Sequence, residues 1–252
     1  MKLCPVLMAL VAVAAQASDV VAAAPSADHI LAQAVARAEE CRDARANYAA
    51  LHRNVTFELG EDPTRSLYRV RPTDDEPFYE LIERDGEPAT EADLRAEARR
   101  RERFRRQVGE AGHAFAVDAS TLERYAVEFV GRETVQGRPA WKLAFSPTDE
   151  EKPAPRRIDE VLNRTRGALW IDVQDHGVAR VDFSLAEPLR LWAGLFGALT
   201  EFEGTFEQVR VSEGVWLPYS LRLEMDGWAP FSSLERRVEL DWSDYERVEQ
   251  RP

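Results

Sequence analysis

Apolar and polar positions alternate with a period of two along most of this chain, and the pattern is cleanest from Gly167 to Asp226. Leu169, Ile171 and Val173 alternate with Trp170 and Asp172. After Asp175-His176-Gly177, Val181, Phe183 and Leu185 alternate with Arg180, Asp182 and Ser184. Further on, Val215, Leu217, Tyr219, Leu221, Leu223 and Met225 alternate with Trp216, Pro218, Ser220, Arg222, Glu224 and Asp226. Period two over such lengths predicts antiparallel strands with one buried face, joined by tight turns. Similar runs begin at Tyr48, Leu67, Phe78, Tyr125, Trp141 and Leu234, so about nine to eleven strands are expected. The phase changes between Phe206 and Val209, which predicts a β-bulge near Glu207-Gln208. Tyr245 onward reads as a fraying charged tail.

Helical spacing is confined to a few places. Ile30, Leu31, Ala34, Val35, Ala38 and Cys41 recur on one side of a segment that Ser26 or Asp28 can cap. Thr90-Glu91-Ala92-Asp93 is a capping-box pattern opening a second helix over about 90–108. That helix carries Arg95, Arg99, Arg100, Arg101, Arg103, Arg105 and Arg106 but only a thin apolar side, Leu94, Ala98, Phe104 and Val108. It reads either as a basic surface for anionic headgroups or an acidic partner, or as a solvated helix laced with i,i+4 ion pairs. Ser120 to Glu123 is a short helical turn. Residues 188–199 are the most continuously apolar piece beyond the leader. Leu189, Leu191, Trp192, Leu195, Phe196 and Leu199 have helical spacing there, and Gly194 and Gly197 give it freedom to move. The segment is expected to act as a lid or membrane-touching loop, or to plug the core.

Composition narrows the class. The 252 residues are 44% hydrophobic with a formal charge of −12, enough apolar content for a core and the wrong sign for nucleic acid. A short positive start, an apolar run from Val6 to Ala15 and Ala15-Gln16-Ala17 form a signal peptide over residues 1–17, with cleavage before Ser18. The run is too short to span a membrane, which takes roughly 20 apolar residues. Cleavage leaves Cys41 as the lone thiol, so no internal disulfide is expected. Few lysines against many arginines and alanines point to a GC-rich bacterial genome and a periplasmic address.

Chemistry-bearing motifs are sparse. There is no Gly-x-Ser-x-Gly, no phosphate-cradling glycine loop and no His-Glu-x-x-His. His29, His52, His113 and His176 fall in a helix, a strand edge, a linker and a turn, so no metal site is expected. Asp74-Asp75-Glu76 and Asp149-Glu150-Glu151 read as solvated loops. Asp172, Asp175 and His176 form the best catalytic group, and hairpin-turn chemistry explains them more simply.

Gly137-Arg138-Pro139-Ala140-Trp141, then Gly167-Ala168-Leu169-Trp170-Ile171-Asp172, Arg180-Val181 and Gly214-Val215-Trp216-Leu217-Pro218 form a series. It resembles the outer-membrane lipoprotein-sorting group: the periplasmic lipoprotein carrier, its outer-membrane receptor and the anti-sigma regulatory sensor. The resemblance covers most of the chain after the leader. It implies a mainly β (α+β) fold, one curved antiparallel sheet or incomplete β-barrel of about ten strands wrapped over helices. Residues 18–252 would form a single LolA-like half-barrel domain, with the basic helix at about 90–108 inserted. The implied function is non-catalytic binding or carriage of lipid or lipoprotein acyl chains on the concave apolar face, without cofactor or metal. Expected ligand contacts are Phe183, Leu189, Leu191, Trp192, Leu195, Phe196, Leu199, Leu217, Tyr219 and Leu221. The alternative is an envelope regulatory or assembly module of the same fold, touching a partner or headgroups through Arg95, Arg99, Arg100 and Arg103. Membrane surface and envelope protein are the further partners implied, and the chain is expected to be monomeric.

Overall fold

The alternating segments pair into one open antiparallel sheet of 12 strands in the computed structural model, which describes residues 25–41, 44, 47–73, 77–108, 119–150, 152–154, 157–190, 197–229 and 232–248. In chain order the elements are α1 (Ala27–Glu40), β1 (Tyr48–Glu58), β2 (Thr64–Arg71), β3 (Phe78–Arg84), β4 (Glu87–Pro88), α2 (Glu91–Val108), α3 (Ala119–Leu122), β5 (Tyr125–Val135) and β6 (Arg138–Pro147). There follow α4 (Arg157–Leu162), β7 (Thr165–Asp172), β8 (Val178–Leu185), β9 (Leu189–Arg190), β10 (Ala198–Ser212), β11 (Val215–Ala229) and β12 (Ser232–Arg247). Side chains of α2 are described as far as Arg103. The leader and the proposed cleavage site lie outside the described residues. Strands β4 and β9 are two residues each, too short to leave a sequence pattern, which accounts for the excess over the expected count.

Neighbours run β4-β3-β2-β1-β12-β11-β10-β8-β7-β6-β5, with β9 beside β10. Most links are hairpins, as at Gln136-Gly137, where both residues take positive φ (49° and 77°) as a two-residue turn requires. Two links are not: β8 pairs with β10 past β9, and β1 pairs with the distant β12, Tyr48 opposite Arg247. Register aligns the apolar positions into rows across the sheet. One row is Val127, Phe145, Gly167, Phe183, Gly204, Leu223 and Val238; another is Phe129, Leu143, Leu169, Val181, Phe206, Leu221 and Leu240.

Ser26 caps α1, its side chain accepting from the His29 amide at 3.3 Å. The helix lays Ile30, Leu31 and Ala34 on Trp141, Leu143, Leu169, Ile171 and Val178, which identifies these rows as the inner face. Burying Ile30 and Leu31 contributes about 1.5–3 kcal/mol each. Its far end is tied down by polar contacts: Arg37 Nε donates to the Asp175 carbonyl at 2.9 Å and Cys41 Sγ to the Gly214 carbonyl at 2.8 Å.

Three expectations need correction. The register does slip between Glu207 and Gln208, but the extra residue is Tyr219 across on β11, left unpaired and 49% exposed. Tyr245 belongs to β12 rather than to a frayed tail: its hydroxyl donates to the Pro218 carbonyl, and burial pushes its pKa up. The 188–199 connection does not start or end as helix. Leu189 and Arg190 pair with Leu199 and Ala198, so β9 continues the line of β8 along β10. Leu191, Trp192, Leu195 and Phe196 lie outside the described residues.

Candidate functional site

The inner face of β6, β7, β8 and β10 is covered at one end by α1 and at the other by α3 and α4. Beneath α3 and α4 lies an apolar cavity of about 90 Å³. Its floor is Phe145, Leu169, Val181, Phe183, Phe202 and Phe206; its roof is Leu122 from α3 and Ile158, Val161 and Leu162 from α4. Two glycines allow the rings to lie flat on the sheet. A Cβ on Gly167 would stand 2.9 Å from the Phe145 ring, and one on Gly204 2.7 Å from the Phe183 ring. Phe183 and Phe202 then meet with centroids 5.5 Å apart.

The roof is polar above and apolar below. Asp159, fully buried, receives Arg124 at 3.3 Å, and Arg124 also donates to Asn163 Oδ1 at 2.6 Å. Two hydroxyls that border the cavity are committed to the end of α4: Thr165 Oγ1 donates to the Val161 carbonyl at 2.8 Å and Tyr125 to the Leu162 carbonyl at 2.9 Å. They satisfy carbonyls that a helix C-terminus leaves open. Burial, opposed in part by the Arg124 cation, pushes Tyr125 up to about 12, so this hydroxyl stays protonated. The lining therefore offers shape and apolar surface.

Of the expected ligand contacts, Phe183 lines this cavity. Leu221, opposite Phe206 in the neighbouring inner row, is buried, and Leu217 on β11 and Leu189 on β9 are buried outside the cavity lining. Leu199 is half-buried in β10, and Tyr219 stands outside the rows. The sequence reading missed α4 altogether. Its signal was present in Ile158, Val161 and Leu162 at i, i+3 and i+4, with Asp159 and Glu160 in the first turn.

Asp172 sits on the face opposite Ile171 as expected, but it is fully buried. Its carboxylate takes Arg138 in a two-pronged pair at 2.7 and 3.0 Å, and accepts from the amides of Gln174 and Asp175 at 2.9 and 2.7 Å. Burial pushes its pKa up, and the Arg138 and amide hydrogen bonds outweigh that and hold it below the usual carboxylate range. Asp175 in turn pairs with Arg210. The group locks the β7–β8 turn onto β6 and β10.

The other half of the inner face is different in kind. His52 is central there and not at a strand edge, packed on Trp242, Tyr79 and Tyr68 at centroid distances of 4.5, 5.5 and 5.7 Å. Burial lowers its pKa to about 4, so the ring is neutral. Helix α2 lies beside this cluster. Thr90 and Asp93 form the reciprocal cap its sequence predicted, at 2.9 and 3.3 Å. Among its described side chains only Glu97 is buried; it meets Arg84, Arg100 and Arg101 at 3.6, 3.1 and 3.3 Å, and Arg100 reaches the Tyr68 hydroxyl at 2.9 Å. Arg95 pairs with Glu91 at 3.2 Å, whereas Arg99 and Arg103 are exposed and unpaired.

No family model matches the chain, and no curated protein matches its sequence. Among solved structures, a LolA superfamily protein from Nitrosomonas europaea aligns over 91% of this chain and 96% of its own at 13% identity and a TM-score of 0.35. A putative outer membrane lipoprotein-sorting protein domain from Vibrio parahaemolyticus aligns over 86% and 92% at 13% identity and a TM-score of 0.35. The MucA/MucB complex of Pseudomonas aeruginosa aligns over 89% and 100% at 11% identity and a TM-score of 0.26. The first two carry the name of the group that the sequence pattern resembles. The fold itself rests on the strand order and register of this chain.

Proposed function

We propose that this chain is a periplasmic, non-catalytic binding or carrier protein for lipid or lipoprotein acyl chains, which it takes up on the inner face of its sheet. The observation that carries this reading is the apolar cavity beneath α4, whose bordering Thr165 and Tyr125 hydroxyls are already used. At about 90 Å³ it is well below the roughly 300–1,000 Å³ of sites that enclose a whole ligand. It fits the end of a chain. The remainder would run over the continuing rows, Leu221 and Leu223 on β11 and Val238 and Leu240 on β12, all half-buried or buried. Each methylene removed from water contributes about 0.8 kcal/mol, so ten of them bring about 8 kcal/mol, the scale of micromolar binding before ordering costs.

The test is native mass spectrometry of the protein from cells, with uptake of a fluorescent fatty acid in vitro. Wild type should carry lipid and take up the probe. Val181→Phe, which fills the cavity at an overpacking cost of about 1–3 kcal/mol, should fold and lose uptake. An empty wild type that also ignores the probe would sink the reading.

A further inference from the structure

Helix α2 is an unusual cover for an aromatic cluster, because the one described side chain it buries is a carboxylate. Glu97 gathers Arg84 from the sheet and Arg100 and Arg101 from the helix itself, Arg100 staying 58% exposed. The opposite face is left with Arg95, Arg99 and Arg103, one turn apart in a stripe about 12 Å long. Arg95 is shared with a Glu91 that is itself 87% exposed, and Arg99 and Arg103 have no partner. The small, exposed Ala92 and Ala96 stand beside them. The stripe thus presents arginine charges at the surface, bordered by Leu94, 46% exposed, and by the exposed Glu102.

We propose that this stripe docks the protein on an anionic lipid surface, through the phosphates of its headgroups. Charge complementarity selects the occupant. Headgroups in a fluid bilayer can move to meet cations spaced one helical turn apart, and each basic residue near an anionic bilayer adds to the attraction. The chain as a whole carries −12, so an anionic bilayer repels the rest of the surface and attracts this face. Docking therefore also orients the molecule. The inference does not require the cavity to hold a lipid.

Co-sedimentation tests it, using the chain from Ser18 with vesicles of phosphatidylglycerol and phosphatidylcholine in equal parts, and vesicles of phosphatidylcholine alone. The protein should sediment with the first at low ionic strength, release at high salt, and ignore the second. Each basic residue near such a surface contributes about fivefold, so Arg99→Gln with Arg103→Gln should weaken partitioning about thirtyfold. Arg53→Gln with Arg166→Gln, exposed arginines on the outer face, should leave it unchanged. Melting temperature and fatty-acid uptake of the stripe variant should match wild type, which separates this test from that of the cavity. Wild-type binding that survives the stripe substitutions, or no binding at low salt, overturns the proposal. So does capture by polyglutamate without capture by vesicles, which would hand the stripe to an acidic protein.

Discussion

Replacing Phe183 by alanine probes the cavity from its floor. The ring is 7% exposed, rests over Gly204 and meets Phe202 at 5.5 Å. Its removal would join a void on the order of 100 Å³ to the existing space. At about 24 cal/mol per Å³ the void costs about 2.4 kcal/mol, and the lost transfer of the ring adds about 2. The sum, about 4 kcal/mol, lies within the range for buried phenylalanine truncations. For a chain of this size it corresponds to a fall in Tm of about 8–16 °C, readable by calorimetry. The discriminating measurement repeats the melt with a saturating single-chain fatty acid. Ligand at a hundred times the wild type's Kd adds about 2.7 kcal/mol to the wild type, and at the same concentration tighter binding in the enlarged cavity should raise the variant's stability by more. A loss below about 1 kcal/mol, or equal ligand gains in both proteins, would refute the claim that Phe183 is the floor of a binding cavity.

Asp172→Ala should cost about 3 kcal/mol in urea denaturation, the low end for breaking a buried ion pair because Arg138 is 28% exposed; Asp172→Asn, which still accepts from the turn amides, should cost less. If alanine and asparagine were equally mild, the turn lock would not be what holds β7 and β8 on their neighbours. His52 titrates near 4 in the folded chain against about 6.5 unfolded, so as pH falls through that window the unfolded state binds the proton first and stability declines, by about 3 kcal/mol in all. His52→Phe should remove that part of the pH dependence in stability curves taken from pH 7 to 4, and a slope identical to wild type would count against the buried neutral ring.

The strands were legible because a half-buried sheet writes its face directly into the chain. Leu169, Ile171, Val181 and Phe183 alternate and do share a face, and Thr90 with Asp93 caps its helix as its spacing implies. What stayed hidden depends on long-range pairing. Nothing local shows that Tyr219 would be the unpaired residue of a bulge, since the register is set by β10 across from it. In β1 the apolar residues are misleading. Val55 and Phe57 face outward, with Arg237 stacked 4.0 Å from the Phe57 ring, while His52 and Asn54 take the inner positions. The cavity was half legible, its floor in the strand pattern and its roof in a helix of six residues, too short for its period to stand out.

The pairing of β1 with β12 has a consequence for how the chain reaches its fold. The strand β12 is one of the central strands of the sheet, and among the described strands β1 to β4 pair with the rest through it. The β1–β3 meander and the β5–β11 block are each local in sequence, yet they can become one sheet only after β12 arrives. A polypeptide that emerges N-terminus first would hold two unjoined sheet edges open until β12 emerges. Contacts of such long sequence separation are slow to form and leave strand edges exposed meanwhile. Assembly of this sheet is gated by β12, which makes that strand the point where a holding chaperone or a truncation would act most strongly.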